Sequence, residues 1–201
     1  MTKKIYSIII ALLFLGCGDD FMFRRVVGSF DFESGVPIGW STGGVSAYPS
    51  AAGTNIEYDY VNGPNDYGGS EPNRTHVYWA ASAGASTPYI QTSALNVNKG
   101  GTINCYLCYG NGNAGAIQTE TIDNGEGVYL EYSLDGTTWV EITYFGGGTF
   151  TDPLYGQWLY INENIPTGAY SKSTYFRFIQ KVSSGSCCDN WGIDDIYITS
   201  N

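Results

Sequence analysis

Two adjacent carboxylates, Asp194 and Asp195, interrupt a stretch whose other members, Trp191, Ile193, Ile196 and Ile198, suit the interior of a sheet. Unpaired charge does not enter a low-dielectric core without a cation or a dense set of hydrogen-bond donors. The pair therefore points to cation binding, or to a tight donor cluster. Other acids stand near strand-like segments: Asp31 and Glu33 close to the N-terminus, and Asp59 and Asp66 in or beside a polar loop. Nineteen acids against nine basic residues give a net charge of −10. That balance tolerates divalent cations and argues against nucleic acid, which asks for a basic face.

Cysteines offer a second chemistry. With Cys17 set aside in the leader, four remain: Cys105, Cys108, Cys187 and Cys188. Even parity in an exported chain favours disulfides, and four cysteines allow three pairings, a vicinal Cys187–Cys188 bridge among them. Cys105 and Cys108 lie three apart on a strand-like run, so they face opposite sides of a regular strand. The expectation is one or two bridges between that strand and the Cys187/Cys188 loop. A four-cysteine zinc site fits less well, because adjacent cysteines do not form the spaced pairs of structural zinc sites.

Sugar stacking is a third. Trp158 lies with Tyr155 and Tyr160 in a weakly patterned segment, and Tyr58, Tyr60 and Tyr67 flank the polar loop. Alternate members of such runs also fill cores. His76 is the single histidine and sits beside Tyr78 and Trp79, a setting for packing rather than for general acid–base work. Two carboxylates suffice for glycoside hydrolysis, but nineteen acids make such pairs easy to find by chance. The chain reads as non-enzymatic. Asn73-Arg74-Thr75 is a glycosylation sequon.

The elements that must position these groups are strands. Charged residues are only 14% of the chain and aromatics 15%, with 17 tyrosines and 27 glycines, which excludes disorder and suits a turn-rich β domain. Ser29–Ser34 alternates, with Phe30 and Phe32 on one face. Further strands are expected at 56–61, 76–81, 89–92, 102–109, 128–133, 139–145, 157–161 and 174–180, and in the last stretch to Thr199. Asp135-Gly136 marks a hairpin turn between Ser133 and Trp139. About ten short strands at hairpin-like spacing predict an all-β, antiparallel two-sheet jelly-roll sandwich. The domains are a leader over 1–17, a connector over 18–28 and one jelly roll over 29–200.

The leader has Lys3 and Lys4, an apolar run from Ile5 to Leu15, then Gly16 and Cys17. This is a secretory signal, too short to span a bilayer. Phe14-Leu15-Gly16-Cys17 resembles the bacterial lipoprotein processing site, with phenylalanine where leucine is usual. Cys17 would then carry the lipid. Asp19 and Asp20 resemble the surface-export signals of Bacteroidetes lipoproteins. The expected location is extracellular or at the cell surface, with the leader or its lipid as the sole membrane contact.

Three blocks carry a wider resemblance: FDFESGVPIGW, GEGVYLEYSLDGTTWVEI, and YFRFIQ followed by DNWGIDDIYI. In order and spacing they resemble the jelly-roll half of a reelin repeat, and MAM-type adhesion domains share a similar opening and closing aspartate pair. The resemblance implies an antiparallel jelly roll, a structural calcium ion, no catalysis and an extracellular role in assembly or adhesion. It also implies that first and last strands run side by side, bringing Asp31 and Glu33 toward Asp194 and Asp195. With Asp59 these form the expected ligand set, since calcium takes six to eight oxygens. Ser133–Trp139 is one residue shorter than the sialidase aspartate box and is read as a turn. The expected function is a calcium-stabilised, non-catalytic binding or adhesion module. The alternatives are a carbohydrate-binding module using Trp158, Tyr155 and Tyr160, or a self-assembling subunit of a surface filament or shell. The partner is accordingly a surface glycan, a protein or another copy of the chain.

Overall fold

The computed structural model describes residues 24–30, 32, 36–43, 56–58, 76–80, 87–109, 122–123, 125–147, 149, 158–182 and 191–201. Among these are eleven strands: β1 (Arg25–Phe30), β2 (Ser41–Gly43), β3 (Ile56–Tyr58), β4 (His76–Ala80), β5 (Tyr89–Gln91), β6 (Thr102–Tyr109), β7 (Val128–Ser133), β8 (Val140–Phe145), β9 (Leu159–Asn164), β10 (Tyr175–Gln180) and β11 (Trp191–Ser200). A 3-10 turn, Thr167–Ala169, follows Pro166.

The strands form two antiparallel sheets, as the expected sandwich requires. One runs β3-β4-β11-β6-β9 with β1 also beside β11, and the other runs β2-β5-β10-β7-β8. Period-two alternation explains the core between them. β6 sends Ile103, Cys105 and Leu107 inward, β7 sends Val128 and Leu130, and β10 sends Phe176 and Phe178. β11 adds Trp191, Ile193, Ile196 and Ile198, all fully buried. Each such side chain contributes about 1.5–3 kcal/mol on burial, as an upper estimate.

The turn between β7 and β8 is built by its own side chains. Asp135 Oδ1 accepts from the Ser133 hydroxyl and from the Thr137 and Thr138 amides, the latter two at 2.7 Å. Ser133 Oγ accepts in turn from the Asp135 and Gly136 amides. Gly136 sits at φ +77°, in the left-handed region glycine favours. These amide and hydroxyl donors hold the Asp135 carboxyl well below its ordinary range. Ser133–Trp139 is thus a self-capped turn.

Two expectations about the first strand change. It spans Arg25–Phe30, starting inside the expected connector. Phe32, expected to alternate with Phe30 in the strand, leaves the sheet at φ +56° and plugs the core fully buried. Phe30 remains half-buried with its ring 3.9 Å from that of Trp40.

Candidate functional site

β11 is the strand on which the site is built. β6 pairs along one side of it for most of its length. On the other side the partner changes: β4 pairs with Trp191–Ile193, and β1 pairs with Ile196–Ser200. Asp194 and Asp195 occupy the interval between those two partners. First and last strands therefore do run side by side, with Phe30 opposite Ile196.

The aspartates also mark a bulge. Asp194 opposes Tyr106 and Tyr197 opposes Asn104, so Asp195 and Ile196 together face Cys105. Asp195 takes φ +47°, which few residues other than glycine adopt and which aspartate tolerates better than most. The extra residue resets the alternation. Without it Ile193 and Asp195 would both point into the core; with it Ile193 and Ile196 do. Asp194 and Asp195 are nonetheless 1% and 5% exposed. The Asp195 amide donates to Asp194 Oδ1 at 2.8 Å. Two buried carboxylates at a change of strand partner, one on a left-handed backbone, form a compact set of hard oxygen donors.

A second polar cluster lies on the outer face of the five-stranded sheet. Glu131 of β7 opposes Arg177 of β10. Arg177 Nε and Nη2 both reach Glu131 Oε2 at 2.7 Å, and Lys181 Nζ lies 2.5 Å from Oε1. The Arg177 guanidinium stacks 4.0 Å over Trp139, and the Lys181 ammonium lies 4.2 Å over Tyr129. Burial, then the neighbouring Tyr144, raises the Tyr129 phenol above its ordinary value. Each cation is matched and the acid is buried, an arrangement that braces the sheet rather than one poised for proton transfer.

On the outer face of the six-stranded sheet, Tyr106 opposes Tyr160, and Asn104 stands between Tyr197 and Asn162. Tyr160 is 59% and Tyr197 42% exposed.

The reelin subrepeat B family model matches residues 65–199. The chain belongs to the reelin subrepeat B family. No curated protein matches it in sequence. Among solved structures it is similar to two cleaved-adhesin domains of Lys-gingipain from Porphyromonas gingivalis. One aligns at 18% identity over 87% of this chain and 98% of its own, with a TM-score of 0.52. The other aligns at 15% over 88% of this chain and 100% of its own, with a TM-score of 0.53. A carbohydrate-binding module solved with β-1,4-galactotriose aligns more loosely, at 13% identity over 85% of this chain and 94% of its own, with a TM-score of 0.44. At these identities the likeness concerns the sandwich fold.

Within this reelin subrepeat B sandwich the expected site residues separate. Asp194 and Asp195 are brought together and buried. Asp31, Glu33, Asp59 and Asp66, with Tyr155, Cys17, Cys187 and Cys188, lie outside the described residues. Among the described residues no group of three metal-ligating side chains forms. Trp158 is half-buried just before β9 and Tyr160 projects from it. His76 opens β4 opposite Tyr58.

One disulfide expectation is corrected. Cys105 is a free thiol enclosed in the core. It lies beside Ile161 of β9 and points toward the far sheet. Burial pushes this thiol far above its ordinary range, with a further contribution from Glu163. Cys108, three residues on, opposes Gly192 at the start of β11. Trp139 lies on the outer face under Arg177. Sequence reading missed Glu131, Arg177 and Lys181 as a unit. The signal was the outward register of YLEYS and YFRFIQ, which sets Glu131 against Arg177.

Proposed function

We propose that the chain is a non-catalytic extracellular binding module of adhesive type, with a calcium ion at Asp194 and Asp195 locking the middle of β11 to its neighbours. The observation that carries the calcium reading is the buried carboxylate pair at the β4-to-β1 change of partner. The donors fit: carboxylate oxygens are hard ligands, and calcium tolerates irregular geometry. Two carboxylates fall short of six to eight oxygens, so Asp31, Glu33 and Asp59, backbone carbonyls and water would complete the shell. The ion would supply positive charge that offsets the repulsion of the clustered acids. The adhesive reading is supported by membership of the reelin subrepeat B family and by the fold shared with cleaved-adhesin domains.

Export and anchoring belong to the same proposal, with Cys17 as the lipidated residue. Metabolic labelling with a palmitate analogue should mark the wild type and not Cys17→Ser; equal labelling of both excludes that role. For the ion, thermal unfolding with calcium and then with a chelator is the test. A ligand that binds only the folded state raises Tm as its concentration passes the dissociation constant. A calcium-dependent rise that disappears in Asp195→Ala supports the site, and identical melting with and without calcium refutes it.

A further inference from the structure

We propose that the outer face of the six-stranded sheet, across β9, β6 and β11, is a binding strip for a neutral glycan. Tyr160 and Tyr197 would stack at its two ends and Asn104 would hydrogen-bond between them. The proposal rests on the binding-module reading and names its ligand class.

Alternation fixes which side chains form the strip. Ile103, Cys105 and Leu107 point into the core, so Asn104 and Tyr106 point out. Ile161 of β9 points in, so Tyr160 and Asn162 point out. After the bulge, Ile196 and Ile198 point in and Tyr197 points out. Register then places Tyr197, Asn104 and Asn162 in one row, and Tyr106 and Tyr160 in the next, with the buried Asp194 closing that second row on β11. Tyr197 and Tyr160 are two strands and two residues apart, about 12 Å at sheet spacings. That span suits an oligosaccharide rather than a single sugar.

The polar centre is already organised. The Tyr160 hydroxyl donates to Asn104 Oδ1 at 3.1 Å, and Asn104 Nδ2 donates to Thr102 Oγ1 at 3.2 Å. Thr102 Oγ1 is itself held by Thr199 Oγ1 at 2.9 Å and by the Arg24 guanidinium at 3.4 Å. The amide of Asn104 is thereby fixed in orientation while keeping one N–H and one lone pair. Fixing the group beforehand lowers the entropy lost on binding. Tyr160 also leans on Tyr106, with ring centroids 5.4 Å apart, which restrains its ring.

The charge of the strip selects the ligand. Asn104, Tyr106, Tyr160, Asn162 and Tyr197 are neutral, on a chain of net charge −10; of the charged groups beside them, the Asp194 carboxylate opposite Tyr106 is 1% exposed and the Arg24 guanidinium is engaged with Thr102 Oγ1. Phenol faces beside amides match a sugar, which has an apolar ring face and an equatorial fringe of hydroxyls. An acidic polysaccharide would be repelled by the chain as a whole.

The test is affinity gel electrophoresis of the full chain in gels containing β-1,4-galactan, xyloglucan or galactomannan, with polygalacturonate as the acidic comparison. At least one neutral polysaccharide should retard the wild type. Tyr160→Ala and Tyr197→Ala should each weaken retardation about tenfold, as expected for one lost stacking contact. Tyr160→Ala also removes a hydrogen bond to Asn104 and a ring contact with Tyr106, so Tm and circular dichroism are recorded for each variant and retardation is compared at a temperature where all are folded. Tyr160→Phe keeps the stacking ring and should fall between. Absence of retardation in every neutral gel overturns the proposal. So does retardation confined to polygalacturonate, or retardation that survives both alanine variants. Calcium-dependent melting is measured on the same samples. A chain that melts higher with calcium but is not retarded refutes the strip alone.

Discussion

Glu131→Ala tests whether the outer face of the five-stranded sheet is braced by a buried acid. The carboxylate is 3% exposed, while its partners Arg177 and Lys181 are 19% and 40% exposed at the side chain. Surface ion pairs contribute about 0–1 kcal/mol, whereas removing one member of a buried pair costs about 3–5 kcal/mol. Both cations here can recover part of their hydration, so the loss should be about 2–3 kcal/mol, below the buried limit. A chain of this length shifts by about 2–4 °C per kcal/mol, giving a fall in Tm of about 5–10 °C. Lys181→Ala should cost under about 1 kcal/mol, because that ammonium is the most solvated member. A double-mutant cycle of Glu131→Ala with Arg177→Ala, read by urea unfolding, should give a coupling of about 1.5–3 kcal/mol. The coupling should persist in about 1 M salt, where exposed pairs are screened within about 3 Å. A coupling under about 0.5 kcal/mol, or one abolished by salt, would refute the bracing role.

Other perturbations bear on other parts of the fold. At Gly101, φ is +145° and a Cβ would lie 1.8 Å from the Thr199 carbonyl oxygen, so Gly101→Ala should destabilise by about 3–4 kcal/mol in denaturant unfolding; near-wild-type stability would contradict the close approach of β6 to β11. The buried Cys105 thiol keeps its proton in the folded chain, while the unfolded thiol loses it near its ordinary pKa of 9.0. The folded state then binds more protons, so stability should fall as pH rises above about 9, by up to about 1.4 kcal/mol per unit. Cys105→Ala should flatten that component, and a slope identical in the two proteins would count against it. The Asp135 carboxyl is depressed in the folded chain, so its contribution is present above the ordinary value of 3.8 and is lost as pH falls below it. Asp135→Asn should lower Tm at neutral pH, with the gap to wild type closing under acid; a gap constant with pH would refute the capping account.

The fold was legible because its signals are local and repeated. The 102–109 run appears as β6 with the bounds its alternation predicts, and the aspartate–glycine turn joins β7 to β8. β2 was missed because Ser41-Thr-Gly43 has neither length nor an apolar pattern; it is a strand through its pairing with β5. Phe30 and Phe32 alternate in sequence, yet a left-handed turn at Phe32 removes it from the sheet, which period-two spacing cannot reveal. The cation over Trp139 was not legible, because only the register of Glu131 against Arg177 brings the guanidinium to its ring.

The burial of the aspartate pair was legible because two carboxylates stood among residues fit for a core; the bulge that carries them was not read, although the spacing of the isoleucines holds its signal. Ile193 and Ile196 are three apart, so a regular strand could bury only one of them; the extra residue had to be absorbed by a bulge, and Asp195 absorbs it. Its partners were less legible, because which carboxylates converge depends on loops rather than on strand periodicity. The proposed strip was half visible. Tyr160 stood out as an aromatic, but Asn104 and Tyr197 join it only through cross-strand register, which links residues far apart in sequence.

Under the proposed function, the buried Asp194–Asp195 pair holds a calcium ion that stabilises the sandwich. Isothermal titration of the chelator-treated chain with calcium tests it most directly, with Asp195→Asn as the comparison, since asparagine tolerates the same left-handed backbone and removes the charge. The wild type should bind about one calcium per chain saturably, with a rise in Tm, and both should be abolished or weakened at least about tenfold in Asp195→Asn. Heats of dilution alone for the wild type, or binding that Asp195→Asn leaves unchanged, would contradict it.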